Sequence, residues 1–261
     1  MAPVSAPSVV DVRRLRTRLG GTLIHDDVSL DVRRGEIFAL AGPSGCGKST
    51  LLRILLMLVR PLAGEVRVFG EDVMRADAAA ADRLRRRIGV LFQGGALFSG
   101  LTVLENVSLP LREHTRLAPA LIREIAAFKM RLAGLSMDAA NKTPAELSGG
   151  MRKRAGLARA LALDPEVVFL DEPTAGLDPE NAAAFDELVA TLRDSLQLTV
   201  FMVTHDLDSL WAVAGRVAVL SGGHLVGLGS MTELSHSNEP ALAQYVSGAR
   251  GRAAQAAWNR A

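Results

Sequence analysis

"EIFALAGPSGCGKST", Glu36 to Thr50, decides how this chain is read. It begins as a short apolar run of strand type, enters a glycine-rich loop, and opens a helical pattern over Lys48 to Val59 that Pro61 stops. The loop has the spacing G-x-x-x-x-G-K-[ST] over Gly42, Pro43, Ser44, Gly45, Cys46, Gly47, Lys48 and Ser49, with Thr50 next. A strand before and a helix after are the context that makes this spacing a phosphate-binding loop. Its glycines let backbone N–H groups face phosphate closely, and the helix N-terminus favours negative charge. Lys48 is then placed for the β- and γ-phosphates of a nucleotide, and the Ser49 hydroxyl for Mg²⁺. Cys46 occupies a variable position and reads as a small filler.

A second apolar run, "EVVFLDE", ends in Asp171 and Glu172. Beside a phosphate loop, Asp171 suits Mg²⁺ and Glu172 suits polarisation of an attacking water. Glu172 is the residue that points to hydrolysis of bound ATP rather than its storage. A further glycine pair stands in "LSGGMRKR", Leu147 to Arg154, where Ser148, Gly149 and Gly150 precede a helical pattern and form another anion-binding helix start. One phosphate chain needs one such loop, so the second makes sense if it closes on nucleotide held by another chain.

Outward from these motifs, strand-like runs alternate with helical ones at both ends of the chain, which implies an α/β fold with a largely parallel, doubly covered sheet. Between them the pattern is mostly helical. The expected organisation is a loose leader over 1–11 and a domain over 12–239. Within that domain the core takes 12–98 and 164–239 and a helical subdomain takes 99–163. A short helix with a basic tail is expected over 240–261. The 261 residues are 49% hydrophobic, enough for a sizeable core, and the net charge of +2 points to no strong global field. Aromatics are 4%, with no visible stacking platform, which argues against nucleic acid as a partner. The lone cysteine precludes an internal disulfide. The opening residues lack a basic start followed by an apolar block, so no signal peptide is expected. No apolar run approaches the roughly 18–20 residues that span a bilayer, so a membrane role requires a partner.

The signature "LSGG" resembles that of the ABC ATPase family, and the other motifs of that family follow in order. Gln93 in "LFQ" resembles the Q-loop glutamine, Asp178 in "AGLDP" the D-loop, and His205 in "VTHD" the switch histidine. The resemblance covers about Val12 to Ser230. It implies a RecA-like P-loop nucleotide-binding core with a helical signature subdomain, and a head-to-tail dimer. Each ATP is then held between Gly42–Thr50 of one copy and Ser148, Gly149 and Gly150 of the other. His205 would contact the γ-phosphate, Gln93 would reach Mg²⁺ and the attacking water, and Asp178 would bridge the two sites. The family often places an adenine-stacking aromatic ahead of the first core strands. Here the comparable stretch is "RTRLGG", which offers Arg18 and Leu19 and no aromatic.

Within the family, "FQGGALFSGLTVLENVSLPLREHTRL" and "ELSGGMRKRAGLARALALDPE" are similar to the ATPase subunits of Mla-type and Mce-type lipid transporters. That resemblance implies a peripheral ATPase on the cytoplasmic face of a bacterial inner membrane. It also implies a multispanning permease, an MCE-domain lipid carrier and a small STAS-domain protein as partners. The segment Gly94 to Phe98 is expected to be a flexible, apolar docking point for the permease. "RKR", Arg152 to Arg154, is expected to add to the field around phosphate, while "RLRRR", Arg83 to Arg87, reads as a solvated helix face. A nutrient or amino-acid importer ATPase is the alternative within transport, and a soluble ABC clamp of translation or DNA repair the alternative outside it.

Overall fold

The computed structural model describes residues 8–246. The chain opens with a long hairpin, β1 (Ser8–Leu19) and β2 (Thr22–Arg33), turned by Gly20 and Gly21 at φ 54° and 85°. Next come β3 (Ile37–Ala41) and α1 (Lys48–Leu55), then β4 (Ala63–Val68), β5 (Glu71–Asp72), α2 (Ala78–Arg86) and β6 (Ile88–Leu91). Three helices follow, α3 (Val103–His114), α4 (Pro119–Leu132) and α5 (Gly149–Ala160). The chain then returns to alternation: β7 (Val167–Asp171), α6 (Pro179–Leu196), β8 (Thr199–Val203), α7 (Leu207–Val213), β9 (Arg216–Ser221) and β10 (His224–Gly229). It closes with α8 (Met231–Ser235) and α9 (Pro240–Val246).

The strands form two sheets. An antiparallel sheet has the order β2-β1-β4-β5, and a six-stranded sheet has the order β10-β9-β3-β8-β7-β6. In the larger sheet β9, β3, β8, β7 and β6 run parallel, and β10 closes one edge antiparallel to β9. Its central strands are near-continuous apolar runs, such as Ile37–Ala41 and Val167–Leu170, because both faces are covered. Successive side chains point to opposite faces. Phe38, Leu40, Phe169 and Phe201 therefore pack towards α1 and the antiparallel sheet. Ile37, Ala39, Val168, Leu170 and Met202 pack towards α5 and α6 on the other face. The second cluster runs without a break into the helical region through Val103, Val107, Ala126 and Met130. The α3 start is fixed by a capping box, in which the Thr102 hydroxyl accepts from the Glu105 N–H and the Glu105 carboxylate accepts from the Thr102 N–H.

Several boundaries differ from those expected. The leader is shorter than 1–11, because β1 starts at Ser8 and buries Val9 and Val10 against the antiparallel sheet. The helix after the phosphate loop ends at Leu55 rather than Val59, because Met57 takes a left-handed backbone at φ 60°. The strand before Gln93 spans Ile88–Leu91. At the C-terminal end, α9 does not stand apart from the domain: Leu242 and Val246 are buried in the same core cluster as the sheet. The basic tail after Ser247 lies outside the described residues. The cluster Arg83 to Arg87 is only partly a solvated face. Leu84 is buried, Arg87 donates to the Glu166 carboxylate at 2.6 Å, and its guanidinium covers the Phe69 ring at 3.8 Å.

Candidate active site

The glycine-rich loop leaves β3 at the carboxyl end of the parallel sheet, where open α/β sheets bind their ligands. Two of its glycines are demanded by close approach. A Cβ on Gly42, at φ 138°, would stand 2.1 Å from the Leu220 carbonyl oxygen of β9. A Cβ on Gly47, at φ 105°, would stand 2.7 Å from His25 Nε2. His25 is fully buried beneath the loop, and its Nε2–H donates to the Gly47 carbonyl at 3.2 Å. Burial holds the His25 pKa below its ordinary value, against the opposing effect of that hydrogen bond, so the ring is neutral and acts as a donor from Nε2. Motif spacing gave no hint of this support, since His25 stands on β2, far upstream of the loop. Lys48 is buried, and its Nζ donates to the carbonyls of Gly42 at 2.7 Å and Pro43 at 3.0 Å. The Cys46 thiol is half-buried beside the Lys48 ammonium, at 4.0 Å.

A cavity of about 340 Å³ opens over this loop. Ser44, Gly45, Gly47, Lys48, Ser49 and Thr50 line one side, and Gln93, Glu172 and His205 line the other. With Ile24, residues from five separate parts of the chain face one space. Ile24, rather than Arg18 or Leu19, contributes the apolar wall.

Glu172 follows β7 with its N–H bonded to the Val203 carbonyl of β8 at 2.8 Å. Its carboxylate accepts from His205 Nδ1–H, with both oxygens at 2.8–2.9 Å. Asp171 ends β7, and its Oδ1 is buried without a hydrogen-bond partner. Desolvation raises the Asp171 pKa, the neighbouring Glu172 charge adds to this, and Arg53, Lys153 and Lys48 oppose it. A buried, unpartnered carboxylate oxygen next to a phosphate loop suits Mg²⁺, which takes one or two protein ligands and completes its shell from phosphate and water. Among the described residues no group of three or more His, Cys, Asp or Glu side chains forms a metal cage.

Ser148, Gly149, Gly150 and Asp178 do not line this cavity. Ser148 caps α5, its Oγ accepting from the Met151 N–H at 3.2 Å. Asp178 caps α6, accepting from the Asn181 N–H at 3.0 Å, and that bond chiefly holds its pKa below the usual carboxylate value. A Cβ on Gly149 or Gly150 would meet only ordinary contacts with Leu177 and Asn181, so packing within the chain does not explain either glycine. The cluster after the signature does not line the cavity. Arg152, Lys153 and Arg154 each donate to a backbone carbonyl, of Leu147, Glu172 and Ala133 respectively. Nor is the segment after Gln93 loose. Arg159 of α5 donates to the Gly95 and Ala96 carbonyls at 2.9 and 2.7 Å, and buried Asn106 brackets the Phe98 backbone at 2.7 and 3.1 Å. Leu97 packs on the core, while Phe98 remains 55% exposed.

A second acidic group lies between α6 and α7. Asp186 of α6 is buried and accepts from Ser209 Oγ–H at 2.6 Å. Burial raises its pKa to about 6, the Ser209 bond opposes the rise and the Asp206 charge adds to it. The folded state therefore binds this proton more tightly than the unfolded chain, whose ordinary value is 3.8. The resulting stability is complete below pH 3.8 and is lost as pH rises through about 6. Asp186→Asn is expected to be more stable than the parent at pH 7.5, by up to about 3 kcal/mol. Denaturant titrations should show that gain shrinking towards pH 5. A gain independent of pH would remove the assignment.

A phosphate loop at the end of a parallel strand, facing a strand-end acidic pair, is the architecture of the P-loop nucleoside triphosphatases. Residues 25–175 match the family model described as ABC transporter, and the chain belongs to that family. It is 38% identical over 244 residues to the intermembrane phospholipid transport system ATP-binding protein MlaF of Escherichia coli K12, covering 94% of this chain and 90% of that protein. It is 41% identical over 241 residues to the probable ribonucleotide transport ATP-binding protein mkl of Mycobacterium leprae, covering 92% of this chain and 69% of that one. Among solved structures, a dimeric ATP-binding cassette in a post-hydrolysis state with ADP and Pi superposes with a TM-score of 0.78 at 32% identity, covering 85% of this chain and 98% of its own. CbiO1 of Clostridium perfringens, part of an ABC transporter complex, superposes with a TM-score of 0.80 at 27% identity, covering 96% and 98%. The chain is an ABC-type ATPase with the RecA-like P-loop fold, and ATP is its nucleotide.

Proposed function

We propose that this chain is the ATP-hydrolysing subunit of a bacterial ABC transporter that moves phospholipid between the inner and outer membranes. The observation that carries this reading is its likeness, along nearly the whole chain, to the Escherichia coli protein named for intermembrane phospholipid transport. In this reading the loop Gly42–Thr50 binds the ATP phosphates, with Lys48 on the β- and γ-groups. Glu172 takes a proton from the attacking water, and His205, bonded to Glu172, orients that carboxylate and meets the γ-phosphate. Ser49, Gln93 and Asp171 would hold Mg²⁺, which would supply neutralisation of phosphate charge. Glycines that packing within the chain leaves unexplained support a second copy as the partner of Ser148, Gly149 and Gly150. Two copies arranged head to tail would enclose each ATP, and Asp178, beside the signature residues, would bridge the two sites.

No helix among the described residues is long and apolar enough to cross a membrane. Attachment to the cytoplasmic face of the inner membrane then comes from a multispanning permease, and the exposed Phe98 on its pinned loop is the contact we assign to it. An MCE-domain lipid carrier and a small STAS-domain protein complete the assembly. The test is a mild-detergent pull-down of the tagged chain at native expression, read by mass spectrometry. A permease with an MCE-domain protein is the expected result. The mycobacterial relative is named for ribonucleotide transport. A permease recovered with a solute-binding protein would replace lipid by a soluble substrate, and recovery without any membrane protein would favour a soluble clamp.

A further inference from the structure

Lys153 stands on α5, in the helix that Ser148 caps, and its side chain is buried. Burying an ammonium is unfavourable unless the site answers its charge and its donors. Its one hydrogen bond among the described residues runs from Nζ to the backbone carbonyl of Glu172, at 2.7 Å. Desolvation lowers its pKa, and the charges of Glu172 and Asp171 oppose that fall. The buried cation does not line the cavity, and its donor is spent on the backbone of the strand-end acidic pair.

The residue it holds is strained. Glu172 has a left-handed backbone, φ 49°, which residues with a Cβ avoid. It also precedes Pro173, and the residue before proline favours an extended conformation. Such a conformation persists only where the surroundings over-determine it. Here the surroundings are three backbone hydrogen bonds, one of them the local bond from the Ala175 N–H to the Glu172 carbonyl at 3.3 Å, and two that come from other elements. The Val203 carbonyl fixes the Glu172 N–H from the sheet, and Lys153 fixes the Glu172 carbonyl from the signature helix. The same helix is bolted to the loop after Gln93, through Arg159 and through Gly156, where a Cβ would come within 3.1 Å of Gly95. One rigid element thus joins the signature, the loop beside Gln93 and the backbone of the glutamate.

We propose that Lys153 is a positioning residue for ATP hydrolysis: it holds the strained Glu172 backbone, sets where the carboxylate points, and transmits movement of the signature helix to the glutamate of the same subunit. The proposal rests on the reading of Glu172 as the general base. It goes beyond that reading by assigning the control of Glu172 to a residue outside the cavity.

The test compares Lys153→Met, Lys153→Gln and Lys153→Arg in the full chain with its membrane partners. Lys153→Met removes every donor, and misplacement of a reacting group by about 1 Å costs on the order of 100-fold in rate. Lys153→Met is expected to lower kcat by about 10- to 100-fold with KM for ATP within about threefold, and Lys153→Arg to recover most of the loss. A second readout is the His205 ring-proton resonance in the purified chain, assigned with a His205→Ala variant. It should move in Lys153→Met, because His205 bonds the displaced carboxylate, and return in Lys153→Arg. Where Lys153→Met fails to fold, Lys153→Gln, which keeps a neutral donor on a shorter stem, takes its place in both measurements. Unchanged kcat with an unmoved His205 signal overturns the proposal. So does a matched fall of kcat and rise of KM without rescue by arginine, which marks a general packing defect. Turnover retained in Glu172→Gln would refute the base assignment instead, and the His205 signal would still report on the tether.

Discussion

Glu172→Gln is expected to bind ATP and to lose turnover by about 10²–10⁴-fold, the usual contribution of a positioned general base. The substitution keeps the shape of the side chain and leaves both backbone tethers, to Val203 and to Lys153, in place. A glutamine oxygen can still accept from His205 Nδ1–H, so the geometry seen at 2.8–2.9 Å survives. What is lost is the negative charge and the proton-accepting capacity. With hydrolysis stopped, ATP stays bound and the head-to-tail pair of chains accumulates. Single-turnover hydrolysis and light scattering with ATP read the two effects together. Hydrolysis within tenfold of the parent would remove Glu172 from the base role, and an unchanged mass with ATP would count against the pair.

Lys48→Ala is expected to fail one step earlier, at binding. The Lys48 ammonium is buried and now bridges the Gly42 and Pro43 carbonyls, so it holds the loop as well as facing the cavity. Charge-assisted hydrogen bonds contribute about 1.5–3 kcal/mol each. Losing two of them on ATP should weaken Kd by on the order of 10²–10⁴-fold. Titration with a fluorescent ATP analogue and Mg²⁺ measures this directly. An affinity within threefold of the parent would mean that the loop amides bind the phosphates without Lys48. The pair of variants separates binding from chemistry: Glu172→Gln should retain nucleotide and Lys48→Ala should not.

Much of the nucleotide site was legible before any coordinates. The phosphate loop is a local structure, a strand that must end and a helix that must begin, and its glycines are required by contacts within a fraction of a nanometre. Asp171 and Glu172 terminate an apolar strand whose runs, buried on both faces, leave few other places for adjacent charges. The order Gln93, Ser148, Asp178, His205 identified the family. The boundaries were less legible. Met57, with its left-handed backbone, ends α1 short of the proline that the pattern pointed to. Val9 and Val10 sit in strand because the antiparallel sheet needs them, although their neighbours are Ser, Pro and Ala.

The basic residues after the signature illustrate a different limit. As letters, "RKR" reads as positive charge near phosphate. In the fold each of the three cations ends on a carbonyl from a different part of the chain. The same holds for His25 under Gly47, Arg159 on the loop after Gln93, and Asp186 against Ser209. By itself the sequence determined the family and which residue types stand at the loop and the strand end, because those depend on short spacing along the chain. The tertiary structure alone decided which buried charge supports which backbone group. Apart from Arg152 with Leu147, those pairings join residues far apart in sequence, and a long side chain can reach any of several carbonyls until packing leaves it only one.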